Sequence, residues 1–211
     1  MESRIVASLD VIDEQSLIKI ASLIGENVFA IKINWPTVLS SGKAIIGKLS
    51  KFSKVICDFK LADIPNTHRL IMEQIADQNP WAVIAHAFVG KDSLSELVSS
   101  GTRIISVVSM SNEGSNRHLN PRWKELMADA LESGVYGIVA PGNNYELLRQ
   151  ISSRKGNMKV FSPGIGAQGG SYIESIENGS DYVIIGRTIY HDEDPLSKVL
   201  EINLDIEKHK F

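Results

Sequence analysis

The run Lys54-Val55-Ile56-Cys57-Asp58-Phe59-Lys60-Leu61-Ala62-Asp63-Ile64-Pro65 carries two signals at odds with each other. It begins as the β-branched, apolar stretch of a strand buried on both faces, yet it ends in charge. Strand alternation sets Val55, Cys57 and Phe59 on one face and Ile56, Asp58 and Lys60 on the other. If the first face packs on helices, the second presents a carboxylate and an ammonium together inside a sheet. Pro65 disfavours helix at Ile64 and marks a loop there. Alternation gives no reason for Asp63, in that loop, to face the same side.

Outward from this run, similar short stretches begin near Arg4, Val28, Trp81, Arg103, Gly137, Lys159 and Tyr182. With Lys54 included, the eight starts lie 22 to 34 residues apart, room for one strand, one helix and two short loops. The intervening segments have apolar residues at helical spacing, such as Leu17, Ile20, Ala21 and Ile24, or Leu94, Leu97 and Val98. Eight such units in 211 residues predict a (β/α)8 TIM barrel, one domain spanning residues 1–211. No Gly-x-Gly-x-x-Gly follows the first strand, which counts against a dinucleotide-binding open sheet. The longest interval holds the polar stretch Ser111–Asn120, either a lid over the barrel mouth or a solvated loop.

Composition narrows the classes. Hydrophobic residues at 43% and charged residues at 22% exclude a disordered or collagen-like chain. A net charge of −3 supplies no bulk positive field, so neither nucleic acid nor an anionic membrane is an expected partner. One cysteine, Cys57, allows no internal disulfide, and no Cys-x-x-Cys or Cys/His pattern suggests a structural metal. With no signal-like start and no run of about 18 apolar residues, the expected compartment is the cytoplasm.

Barrel strands should be apolar, so ionisable groups at their C-terminal ends are the anomalies that carry information. Asp10 ends the first, Lys32 the second, Asp58 and Lys60 the third, His86 the fourth, and Arg187 follows the eighth. Asp58 and Lys60 could form a structural ion pair. Buried pairs are costly to desolvate, however, and several at one barrel mouth favour a functional site. Cys57, on the opposite face, is read as a core residue, and His86 as either a hydrogen-bonding support or a catalyst. After the seventh strand comes Ser162-Pro163-Gly164-Ile165-Gly166-Ala167-Gln168-Gly169-Gly170, and after the eighth Gly186-Arg187. Glycine-rich loops at these two strand ends, with a fixed cation, indicate a phosphorylated small molecule.

The stretch from Asp58 to Thr67 resembles the Asp-x-Lys-x-x-Asp-Ile-Pro signature of the orotidine 5′-phosphate decarboxylase family. The similarity runs in order through Leu9-Asp10, Lys32, Met110-Ser111, Pro163–Gly170 and Gly186-Arg187, across essentially the whole chain. It implies decarboxylation of orotidine 5′-monophosphate to UMP in de novo pyrimidine biosynthesis, without metal or other cofactor. It also implies a homodimer with active sites shared across the interface. Lys60 would donate the proton, Asp58 would lie near the departing carboxylate, and Lys32 between the acids and the ribose. Asp63, Ile64 and Thr67 would come from the partner subunit. Asp10 would bind ribose hydroxyls and Ser111 the pyrimidine. The loop residues Pro163, Gly164, Gly166, Gln168 and Gly169, with Gly186 and Arg187, would hold the phosphate end.

The shorter Asp-x-Lys-x-x-Asp core also occurs in metal-dependent sugar-phosphate decarboxylases and hexulose-phosphate synthases. Those relatives carry an acidic residue at the end of the second strand, where Lys32 would here repel a divalent cation. A non-catalytic nucleotide-binding protein is the remaining alternative, and intact Asp58, Lys60 and Asp63 speak against it. One departure from the family pattern is Asn112-Glu113-Gly114, where many members have His-Pro-Gly.

Overall fold

Each predicted strand start is followed, within two residues, by a strand. In the computed structural model, which describes residues 2–166 and 169–209, these are β1 (Ile5–Ser8), β2 (Ala30–Asn34), β3 (Lys54–Leu61), β4 (Ala82–His86), β5 (Arg103–Val107), β6 (Gly137–Val139), β7 (Lys159–Ser162) and β8 (Tyr182–Ile185). They pair in parallel in sequence order, and β8 closes on β1 through Val6↔Ile184, giving the predicted (β/α)8 barrel. The helices α1 (Glu14–Ile24), α2 (Trp35–Ser41), α3 (Ala44–Leu49), α4 (Pro65–Ile75), α5 (Gly90–Ser99), α6 (Ser115–His118), α7 (Trp123–Glu132), α8 (Tyr145–Ser152), α9 (Tyr172–Glu177), α10 (Arg187–Tyr190) and α11 (Pro195–Lys208) fill the crossovers and follow β8.

Local chemistry explains where these helices start and which face they bury. Asp13 caps α1 by accepting from the Ser16 N–H at 2.8 Å, and Leu17, Ala21 and Ile24 then fall on one buried face. Asn34 caps α2 and Asp194 caps α11, each followed within two residues by a proline that suits a helix's first turn. The outward faces of the strands and the inner faces of the helices form one apolar layer, which includes Val55, Cys57 and Phe59. Ile56, Ile84, Ile105 and Phe161 belong to a second cluster inside the barrel. Each fully buried Ile contributes about 1.5–3 kcal/mol relative to exposure.

The N-terminal end of the barrel is plugged by aromatic rings. Phe29 and Tyr182 stack at 3.9 Å, Tyr182 and Phe161 at 4.9 Å, and Trp81 sits edge-on to Phe29 at 5.2 Å. Lys54 Nζ lies 4.2 Å above the Phe29 ring, adding a cation–π contact to this floor. The open end, at the strand C-termini, is left for the charged residues.

The stretch Ser111–Asn120 is neither bare loop nor simply solvated. It contains α6, and Asn120 at its end is buried. The Asn120 Oδ1 accepts from the Ser109 hydroxyl at 2.7 Å and the Met110 N–H at 3.0 Å, while its Nδ2 donates to Ser115 Oγ at 2.9 Å. One amide thus ties the base of the segment to the end of β5. Among the described residues, no helix is long and apolar enough to cross a membrane.

Candidate active site

Every strand, or the loop directly after it, contributes to a cavity of about 260 Å³ at the C-terminal mouth. Its lining includes Ser8 at the end of β1 and Asp10 just after it, Lys32, Asp58 and Lys60, and Arg187 after β8. At its centre Lys32 Nζ donates to Asp58 Oδ2 at 2.9 Å, and Lys60 Nζ lies 2.8 Å from each Asp58 oxygen. The Lys32 and Asp58 side chains are 8% and 9% exposed, whereas Lys60 is 42% exposed and reaches the open cavity. Burial pushes the Asp58 carboxyl up, but the two ammonium groups outweigh it and hold it below the ordinary carboxylate value. Asp58 is therefore ionised at neutral pH.

Lys60 occupies a strained backbone position. Its φ of 43° lies in the left-handed region, which non-glycine residues avoid at a cost of order 1–3 kcal/mol. The β3–β4 register shifts across it, from Cys57↔Val83 to Leu61↔Ala85, so β3 bulges at the charged residues. Such a bulge aims a side chain that a regular ladder would hold flat.

Asp10 is held by its neighbours: the Ser8 hydroxyl donates to Asp10 Oδ1 at 3.2 Å and Asn34 Nδ2 at 2.9 Å. Sequence reasoning did not single out Ser8 or Asn34. The signal was a polar residue two positions from an expected site residue on the same strand face, Ser8 before Asp10 and Asn34 after Lys32. It also passed over the apolar lining Ile84, Val107, Val139, Ile165 and Ile184, most of which strand alternation would have placed inward.

Of the expected site residues, Asp10, Lys32, Asp58, Lys60, Ser111, Pro163, Gly164, Gly186 and Arg187 come together around this cavity. Asp63, Ile64 and Thr67 do not line it; Ile64 is 64% exposed. Gly166 and Gly169 also lie outside the lining. Their main-chain N–H groups serve the loop itself, Gly166 donating to Gly170 O at 2.8 Å and Gly169 to Gly166 O at 2.8 Å. Gly166 has φ +67°, and a Cβ there would collide with Thr188 Oγ1, so glycine is required for the loop's shape. Gln168 lies outside the described residues.

His86 faces a neighbouring cavity that it lines with Phe88 and Met110. Burial, and then the Lys60 charge, hold its imidazole below the ordinary histidine range. Burial, reinforced by the adjacent Asp58 charge, pushes the Cys57 thiol up to about 12, which fits a core residue rather than a nucleophile.

A cavity holding a carboxylate between two ammonium groups, with an arginine just after β8, can stabilise negative charge developing on a bound anion. Comparison with known proteins gives the family. The model of the orotidine 5′-phosphate decarboxylase / HUMPS family matches residues 3–202. The orotidine 5′-phosphate decarboxylase of Thermoplasma acidophilum is 45% identical over 209 residues, covering 98% of this chain and 97% of its own. The crystal structure of orotidine 5′-phosphate decarboxylase from Pyrococcus horikoshii superposes with a TM-score of 0.91 at 39% identity, covering 96% of this chain and 99% of that one. The Methanocaldococcus jannaschii enzyme, complexed with the inhibitor BMP, gives 0.92 at 32% identity, with coverage of 98% and 99%. With similarity at this level along nearly the whole length, the chain belongs to the orotidine 5′-phosphate decarboxylase / HUMPS family.

Proposed function

We infer that this chain decarboxylates orotidine 5′-monophosphate to UMP and CO2 in pyrimidine biosynthesis, acting as a one-domain cytosolic enzyme in a homodimer. The observation that carries the reading is Lys60 Nζ, 2.8 Å from both oxygens of buried Asp58 and open to the cavity. When the bond from C6 to the carboxylate breaks, its electron pair stays on C6 in the plane of the ring, where the π-system cannot spread it. A fixed positive charge beside C6 then stabilises the developing lone pair, and the Lys60 ammonium passes a proton to it. The neutral amine left behind regains its proton from water.

Asp58 and Lys32 hold Lys60 ready before substrate arrives, so little reorganisation remains at the moment of reaction. Both Asp58 oxygens are already engaged by ammonium groups, which disfavours a divalent cation at this carboxylate. Asp10 binds ribose hydroxyls, Ser111 the pyrimidine, and Arg187 with Gly186 and the β7 loop the phosphate. Binding energy from that remote phosphate assists the chemical step by closing the site.

The homodimer reading rests on where the remaining residues lie. Trp35, Ile64 and Phe88 follow three consecutive strands, β2, β3 and β4, and are 41%, 64% and 56% exposed. A second copy seated on this apolar rim would lend Asp63, Ile64 and Thr67 to the neighbouring cavity.

The test is to follow loss of the ultraviolet band of orotidine 5′-monophosphate on adding purified protein, with and without EDTA. Turnover indifferent to EDTA, and lowered at least about 10³-fold in folded Lys60→Ala protein, is the expected result. Turnover confined to a sugar phosphate and abolished by EDTA would transfer the chain to the metal-dependent branch of the family.

A further inference from the structure

α4 begins directly after the β3 bulge, and its first turn contains a histidine with no access to solvent: His68 is 0% exposed. The residue capping this helix, Ile64, has no side-chain acceptor to offer, and Pro65 occupies the first helical position. The His68 ring turns back across that gap. Its Nε2 accepts from the Asp63 N–H at 3.0 Å, and its Nδ1 lies 3.3 Å from the carbonyl of Ser93, a buried residue of α5. The Asp63 N–H can only donate, so Nε2 carries no proton and Nδ1–H donates to Ser93. One neutral tautomer satisfies both contacts at once.

These bonds fix the chain at Asp63 in a way an apolar residue could not. The Asp63 carboxylate is held in turn, its Oδ1 accepting from the Ile64 N–H at 2.7 Å. The main chain is thus anchored to the α4–α5 layer, while the side chain is exposed and takes no part in the lining of its own cavity.

We propose that His68 is the positioning residue for Asp63, its buried imidazole aiming the carboxylate that each subunit presents to its neighbour's Lys60. The proposal rests on the shared-site reading above. It assigns His68 no contact with substrate; it acts through Asp63 alone. A displacement of about 1 Å at a charged group in such a site can cost up to about 10²-fold in rate.

Three variants and two mixtures test it. His68→Leu fills the space without an acceptor. His68→Asn keeps polarity toward Ser93 but is too short to reach the Asp63 N–H, whereas the His68→Gln amide oxygen reaches it. Leu and Asn should each lower kcat about 10- to 100-fold with KM nearly unchanged, and Gln should stay within about threefold of wild type. Should the leucine protein fail to fold, the Asn and Gln pair makes the same comparison.

In mixtures, His68→Leu chains combined with Lys60→Ala chains should recover activity, because one site per mixed dimer then joins an intact Lys60 to an intact Asp63. Recovery should approach about a quarter of wild type at equal mixing, since half the dimers are mixed and each has one intact site. His68→Leu with Asp63→Ala should not recover. Wild-type kcat in the Asn variant overturns the proposal. So does absence of recovery with Lys60→Ala while an Asp63→Ala and Lys60→Ala control mixture recovers. If that control itself fails despite confirmed subunit exchange, the shared site falls, and the role of His68 with it.

Discussion

Lys60 shows how much a single residue carries. Strand alternation places it beside Asp58, but nothing in its side-chain type announces the left-handed backbone at φ 43°. That strain is sustained because the closed β2–β3–β4 sheet holds the bulge on both sides and the Asp58 carboxylate anchors the ammonium at 2.8 Å. Arg187 differs: it is exposed, just beyond β8, and lines the same cavity. Its predicted role is phosphate recognition, so Arg187→Ala should lower kcat/KM for the nucleotide at least about 10²-fold, the loss of a charge-assisted contact and its remote binding energy. Turnover of the bare nucleoside should change by less than about threefold. Parallel kcat/KM measurements on the two substrates check this, and equal losses would remove the phosphate assignment.

At the scale of elements, β3 was legible because parallel strands are apolar on both faces, which makes Asp58 and Lys60 conspicuous. The helical spacing around Leu17 and Leu94 was legible because a helix buries one face at a 3–4 residue repeat, and both residues are buried where the pattern put them. Loops carry less pattern. The glycines after β7 suggest an anion cradle, and Gly166 and Gly169 hydrogen-bond the loop's own carbonyls, which sets its shape. Asn120 read as loop polarity and is instead a buried clamp, because hydrogen-bond partners supplied by the fold cancel the cost of burying an amide. The barrel floor allows an element-level prediction. Phe161, fully buried and stacked on Tyr182, lies at the closed end, away from the charged mouth. Phe161→Ala should cost about 3–5 kcal/mol of stability while leaving kcat within about twofold. Chemical denaturation and steady-state kinetics on the same preparation measure both.

For the whole molecule, the exposed apolar rim above β2, β3 and β4 is where the proposed dimer can be tested. If each subunit completes its neighbour's site, specific activity should fall as the protein is diluted through its dimer dissociation range. Ile64→Glu, which puts a charge on that rim, should raise the dimer dissociation constant at least about 10-fold, or about 1.4 kcal/mol. Sedimentation velocity gives the dissociation constant, and assays across the same concentrations should show activity tracking the dimer fraction. Constant activity per chain in a monomeric Ile64→Glu protein would contradict the shared site.

Periodicity and composition alone determined the eight-unit barrel and the end at which charge would gather, because side-chain direction in a strand follows from residue count. Order along the chain likewise predicted that Asp10, Lys32, Asp58, Lys60 and Arg187 would meet, since strand C-termini converge once a parallel sheet closes. Only the tertiary structure decided which polar groups are consumed internally and which face the cavity. It revealed the bulge at Lys60, the Asn120 clamp and the His68 bridge from Asp63 to Ser93. Each depends on partners distant in sequence or on backbone geometry, and hydrogen-bond satisfaction in a folded interior is settled by who lies within 3 Å, which no local pattern encodes.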